Sequence, residues 1–344
     1  MLDVQVVRTL SVESDVALSH LSAASGLVRL GQRLFVVADD EHTLAVFDLP
    51  GERPGTWHRL FSGELPDEPK VRKAAKPDLE ALAHLPPWPR CPQGALLALG
   101  SGSRPQRQRA ALLAFDAAGE IQGAVRDVDL SPLYAPLHER HAQLNIEGAF
   151  VVADCFCLLQ RGNQASPVNG LISYDWRAIQ GWLDGAGQAP EPLSTTRHDL
   201  GDIDGVPLCF TDGAALPDGC WVFCAAAEAS DDNYADGPCR GSAVGAVAAD
   251  GRLLGVWPLS LRCKAEGIAA TVENGVLRLL LVTDPDDRDE PALLLSASLA
   301  DPRLRPGPPG AADTGPRMRR TPHPVCSPCN PNTLLLRPRL PPPA

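Results

Sequence analysis

Hydrophobic positions along this chain fall in short runs that often alternate with polar ones, and each run is closed by Gly, Pro, Asp or Asn. Alternation of period two between turn residues marks strands rather than helices. One pattern recurs. An acidic or small residue, usually followed by Gly, opens an apolar run; a turn follows, and a second apolar run ends on polar residues. Residues 142–163, AQLNIEGAFVVADCFCLLQRGN, show the unit most plainly, with counterparts at 23–40, 77–104, 210–232 and 264–287. From Glu147 four strands can be marked: GAFVVAD, CFCLLQR, GLISYDW and STTRHDL. Helices are predicted only in connectors, over 131–143 and 175–183.

Four-stranded units repeating at about 40 residues or more are the signature of propeller blades. The anchor positions Ser25, Glu80, Glu147, Asp212 and Glu266 lie 54 to 67 residues apart. After Glu266 there is room for about three strands before a Pro-rich stretch begins near Arg303. The N-terminal run 4–12 supplies the missing fourth strand and closes the ring without a free edge. The prediction is an all-β, five-bladed β-propeller over residues 1–304, with the N-terminal strand closing the last blade. Six blades is the alternative, and it would draw strands from the tail. That tail, 305–344, is dense in Pro and expected to be disordered.

In such a ring the start of each first strand and the end of each second strand share one face. The anchors therefore stand beside the loops carrying Asp39–Asp40, GSGSR (100–104), QRGN (160–163), AEASDD (227–232) and DPDDRD (284–289). Four anchors are carboxylates, and converging carboxylates either share a cation or stay protonated. Their hard oxygens, with Ser25, suit Ca²⁺ and, less well, Mg²⁺. The simpler alternative is that acid-Gly makes a tight turn, with Lys76 and Lys264 neutralising their neighbours. Arg104 and Arg161 are candidates for binding phosphate or carboxylate, or for ion pairs with Asp39, Glu228 or Asp284. GSGS lacks the Lys and following helix of a phosphate loop. His141, in a connector, is either a general base or a surface histidine.

The chain has 344 residues, 44% of them hydrophobic, and a net charge of -11. That charge argues against nucleic acid or an anionic membrane as the main partner. No apolar run is long enough to span a bilayer, and no export signal is read at the N-terminus. The expectation is a cytoplasmic protein, its cysteines acting as small buried hydrophobes. CSPC (326–329), a lone pair in the tail, is expected to be incidental.

The motifs KPDLEAL (76–82), LGSGS (99–103), NIEGA (145–149) with LLQRGN (158–163), TDGAAL (211–216) with AAAE (225–228), and KAEGIA (264–269) resemble those of an uncharacterised bacterial propeller family. The resemblance covers roughly residues 20–300 as a set. More distantly, the order of anchors is similar to that of the calcium-activated nucleotidases, the apyrases. There one such residue per blade holds a central Ca²⁺ that positions a nucleotide; Asp212 stands where that pattern has Ser. The esterase-like phytase propellers are a second, looser likeness.

Two functions follow. One is a Ca²⁺-dependent hydrolase of a phosphorylated small molecule, with Arg104 and Arg161 taking phosphate charge and Glu228 or Asp39 orienting water. The other is a non-catalytic propeller whose central ion is structural and whose polar face binds a ligand or protein.

Overall fold

Strand pairing sorts the chain into five four-stranded antiparallel sheets. The structure, a computed structural model, describes residues 1–13, 19–230 and 237–304. The expected disordered tail, 305–344, and the acidic pair Asp231–Asp232 lie outside the described residues. Blade 1 comprises Ala24–Leu30, Arg33–Ala38, Thr43–Asp48 and Thr56–Arg59; blade 2, Leu79–Leu85, Ala95–Gly100, Arg109–Phe115 and Ile121–Asp129. Blade 3 runs through Ile146–Val152, Cys155–Gln160, Asn169–Asp175 and Ser194–His198. Blade 4 holds Cys209–Ala215, Trp221–Glu228, Cys239–Val247 and Leu253–Pro258. Blade 5 has Ala265–Glu273, Val276–Thr283 and Leu293–Ala300, and its outer strand is Val4–Thr9. The ring closes as expected, with Val4 opposite Ala297 and Thr9 opposite Leu293. The predicted closing run is shorter than 4–12, because Ser11–Val12 leaves the sheet to pair with Ser19–His20.

Alternating apolar residues put one core between each pair of neighbouring blades. Phe35, Leu82 and Phe115 fill the joint of blades 1 and 2. Ile146 and Phe156 fill the next, roofed by Tyr134 and Trp176. Phe150, Phe210, Trp221 and Phe223 join blades 3 and 4; Val222, Ile268 and Leu281 join 4 and 5; Leu27, Val36 and Leu294 join 5 and 1. Each blade contributes to two of these cores, so losing one blade would uncover two joints. The expected buried thiols are present as Cys157, Cys220 and Cys224, all free, with Cys155 partly buried.

Both connector helices form, as Ser131–His138 and Trp176–Leu183, the latter capped by Asp175 accepting from the Ala178 N–H at 2.8 Å. A third helix, Pro69–Ala75, was not anticipated. Glu68 caps it and Pro69 sits in its first turn, while Pro77 follows the C-cap, Lys76. Buried Arg72 fastens this helix to blade 1, donating to the Asp40 carbonyl at 2.6 Å and to Glu41 Oε1 at 2.8 Å.

The strand register explains the recurring acid-Gly pair. In every blade the first strand carries one extra residue near its start, opposite no partner. Between paired residues the skipped positions are Ser25, Glu80, Glu147, Thr211 and Glu266. Such a bulge bends the strand and re-aims the extra side chain. The residue after the bulge instead faces the adjoining inner strand. A Cβ on Gly148 would lie 3.1 Å from Asp212 Cα, and one on Gly267 would lie 3.0 Å from Leu27 N. Glycine stands there in blades 1, 3 and 5, as Gly26, Gly148 and Gly267, where the backbones crowd together; Ala81 and Asp212 take that place in blades 2 and 4.

Deleting residues 1–10 should lower the unfolding midpoint by about 10 °C or more, because Leu293–Ala300 loses its partner and Leu2 and Leu10 leave their cores. Differential scanning calorimetry of the truncated chain checks this. An unchanged midpoint would show that the ring is closed without Val4–Thr9.

Candidate functional site

Four of the five bulged residues, Ser25, Glu80, Glu147 and Glu266, and the ends of the second strands surround an open cavity of about 230 Å³. Among the described residues its lining holds ten carboxylates, seven cationic side chains and no aromatic or histidine. Ser25, Asp39, Glu80, Glu147, Arg161, Glu228 and Glu266, all anticipated from sequence, meet there. Ser25 donates to the Ala23 carbonyl at 3.1 Å.

On the side of blades 1 and 2 the centre is Asp78, held in a left-handed backbone conformation at φ 57°. Its Oδ2 accepts from Ser101 Oγ at 2.6 Å and from Arg107 Nη1 at 2.7 Å. Its Oδ1 faces Lys76 Nζ at 3.0 Å, and the same ammonium pairs with Asp39. Asp39, Asp78 and Glu80 each offer one carboxylate oxygen, all within 4.8 Å of one another. Glu80 takes no hydrogen bond or ion pair among the described residues.

Across the cavity, on blades 3 to 5, Arg161 lies among three carboxylates. It donates to Glu147 Oε2 at 3.1 Å and Glu228 Oε2 at 2.7 Å, with Glu266 Oε1 at 3.9 Å. Asn145 Nδ2 holds the other Glu147 oxygen at 2.5 Å. Lys264 Nζ meets Asp286 Oδ1 at 2.8 Å and Asp284 Oδ2 at 3.2 Å, and stands 3.7 Å from Glu266 Oε1. Glu266 Oε1 is thus buried with two cations close by but no hydrogen bond.

Burial, reinforced by neighbouring acids, drives the protonation equilibria. Burial first, then Glu147 and Asp78, push Glu80 well above the ordinary carboxylate range. Burial likewise raises Glu147 and Glu266, although Arg161 and Lys264 oppose it. Asp284 is raised to about 7, by burial against the pull of Lys264. Burial disfavours the charged forms of Arg161, Lys264 and Lys76 too, yet the carboxylates around them more than compensate and keep all three protonated.

Two anticipated residues are elsewhere. Asp212 lies one position beyond the bulge and does not line the cavity. Its Oδ2 accepts from the Ile268 N–H at 2.9 Å and its Oδ1 from the Gly213 N–H at 2.7 Å, so it ties blade 4 to blade 5. The register-equivalent anchor is Thr211, whose hydroxyl donates to the Ala265 carbonyl at 2.7 Å. Arg104 is exposed, capping the turn Pro105–Arg107, and the arginine turned inward from that turn is Arg107. His141 is partly buried and outside the cavity lining. Sequence reasoning missed Asp78, Arg107 and Asn145. The KPD motif and the Asn two residues before Glu147 were the available signals.

The fold and cavity define a five-bladed propeller with a charged axial site. The chain belongs to the family of unknown function DUF6929, whose model matches residues 20–299. No curated protein matches it. Similar solved structures include the catalytic domain of a Coprinopsis cinerea GH62 alpha-L-arabinofuranosidase, with TM-score 0.47, 11% identity and coverage of 85% of this chain and 97% of that one. A luciferin-regenerating enzyme has TM-score 0.41 and 10% identity, covering 81% and 92%. A nidogen/laminin complex has TM-score 0.38 and 9% identity, covering 81% and 87%. At these values none carries its activity over to this chain. Among the described residues no helix is long and apolar enough to cross a membrane.

The raised carboxylate of Asp284 sets a pH dependence. A folded-state pKa above the unfolded value contributes stability that is complete below about pH 4 and lost as pH rises through about 7. Between pH 6.5 and 8, without divalent ions, the unfolding midpoint should fall as pH rises, and Asp284→Asn should flatten that slope. Burial lowers the pKa of His58, His84, His141 and His198, which adds stability as pH rises and so opposes this slope, but equally in both proteins, so the difference between them reads Asp284. Equal slopes in the two proteins would show that Asp284 titrates like an exposed carboxyl.

Proposed function

We propose that this propeller is a divalent-cation-dependent hydrolase acting on a small polar molecule at the axial cavity. The observation that carries the reading is the convergence of Asp39, Asp78 and Glu80 on one spot of the cavity wall, with Glu80 left without a donor. Three hard oxygens on the wall of a cavity that opens to solvent suit Ca²⁺ or Mg²⁺, each of which completes its shell with water. A divalent ion there would supply Lewis-acid polarisation of the bond to be cleaved. Arg107 and Ser101 fix Asp78, and Arg161 and Asn145 fix Glu147, so the wall is rigid before any ligand arrives. Glu266, desolvated and accepting no hydrogen bond, is the carboxylate suited to take a proton from water. Glu228 is committed to Arg161 and to the Gly237 N–H at 2.8 Å, and Asp39 to Lys76.

The phosphorylated substrate expected from sequence loses its ligands. Arg104 is outside the cavity, Arg161 is engaged by carboxylates, and the ten acids of the lining compete with any anion for its seven cations. The favoured substrate is therefore small, polar and not anionic.

One observation favours a non-catalytic propeller that needs no central ion. Lys76 already bridges Asp39 and Asp78, so the ring supplies some of its own counter-ions. Calcium titration separates the two readings. Free ion at a hundredfold its dissociation constant stabilises the fold by about 2.7 kcal/mol, so the midpoint should rise by about 5 °C and fall again with chelator. Glu80→Gln should abolish most of that rise. In calcium, a panel of nitrophenyl esters, glycosides and lactones should yield product that Glu266→Gln suppresses at least a hundredfold. A midpoint that ignores calcium would leave the ion-free binding propeller as the function.

A further inference from the structure

We infer that Lys76 sets which cation the axial site accepts: its ammonium is the resident counter-ion, and only a divalent ion displaces it. The inference rests on the ion-binding reading above, but concerns a residue of the chain that faces the site rather than the ligands themselves.

Lys76 reaches the carboxylates from the end of Pro69–Ala75, where its backbone N–H is held by the Arg72 carbonyl at 2.8 Å. Its main chain is thereby fixed while its long side chain lies along the cavity wall. The ammonium contacts Asp39 and lies 3.0 Å from Asp78 Oδ1, two of the three carboxylates that converge there. A cation coordinated by those oxygens would need the space that Lys76 Nζ fills. The ammonium is a compact point charge on a flexible stem, and the cavity beside it opens to solvent, so it has somewhere to go.

Charge balance gives the selectivity. With all three ionised, as holding a cation requires, Asp39, Asp78 and Glu80 exceed Lys76 and Arg107 by one negative charge. Exchanging the ammonium for Na⁺ or K⁺ keeps that surplus and gives up a tethered partner. Exchanging it for a divalent ion removes the surplus, and Arg107 remains on Asp78. A tethered monovalent cation therefore acts as a threshold that monovalent ions fail and divalent ions pass.

Lys264 provides the internal control. It too is buried among acids, with Asp284, Asp286, Glu266 and Glu228 at 2.8 to 3.9 Å. Among the described residues, however, the one group whose ligand atoms converge is Asp39, Asp78 and Glu80. Removing Lys264 should cost stability without opening an ion site.

Isothermal titration of the full chain with calcium chloride tests this on the native protein, Lys76→Met and Lys264→Met. Lys76→Met should bind Ca²⁺ at least tenfold more tightly than the native chain, and its metal-free unfolding midpoint should fall below the native one. Lys264→Met should bind Ca²⁺ as the native chain does. Equal or weaker binding by Lys76→Met overturns the inference; if the native chain binds calcium in that same experiment, the ion reading survives alone. Binding by Lys76→Met but not by the native chain sustains the lysine's role and defeats the ion reading for the native protein. Binding by neither defeats both. Should Lys76→Met fail to fold, acetylation of the native chain by an amine-reactive ester, read by peptide mass spectrometry, replaces it. Calcium should accelerate modification of Lys76 severalfold, and sodium at equal ionic strength should not. Slowed or unchanged modification in calcium overturns the inference.

Discussion

A carboxylate withdrawn from water needs a compensating charge or a proton, and this propeller withdraws several around one axis. That requirement organises the whole face. Lys76, entering blade 2, pairs with Asp39 just after the second strand of blade 1. Arg161 of blade 3 pairs with Glu228 of blade 4, and Arg288, between the second and third strands of blade 5, approaches Asp40 of blade 1 at 3.7 Å. The pairs that neutralise the site also stitch neighbouring blades together. Truncating one partner therefore strands a buried charge and loosens a joint at once.

The opposite ends of the blades rely on different forces. Apolar side chains fill each joint, and the N-terminal strand completes blade 5 by backbone pairing with Leu293–Ala300. Such cores are insensitive to ions and pH. The axial face is sensitive to both, since its acids are held away from their ordinary pKa by burial and by one another. The apolar joints give the ring its rigidity, and that rigidity keeps like charges close that would otherwise separate.

Blade number and closure were legible because period-two alternation and turn residues are local signals, and the N-terminal run had no other sheet to join. The site was legible only in part. TDGAAL offers both Thr211 and Asp212, and chemistry alone favours the acid; the bulge that selects Thr211 is a matter of pairing between strands, which no single strand reveals. Arg104 and Arg107 lie in the same turn, and backbone direction decides which enters the cavity. Lys76 was visible as a neighbour of acids, but its reach depends on a helix of seven residues, too short for periodicity to announce.

The bulged positions are not equivalent, and their differences bear on function. Thr211 spends its hydroxyl on the Ala265 carbonyl and Ser25 on that of Ala23, so these two anchors are satisfied within the fold. Glu147 is satisfied by Asn145 and Arg161. Glu80 and Glu266 accept no hydrogen bond among the described residues, although both line the cavity and Glu266 Oε1 is buried. A ring that served only to make turns would have no use for them, since a hydroxyl or glycine turns the chain without the cost of desolvating a charge. Two carboxylates on different blades thus face one cavity without a hydrogen-bond donor, and Glu266 has only the charge of Lys264 and Arg161, at 3.7 and 3.9 Å, to offset its burial.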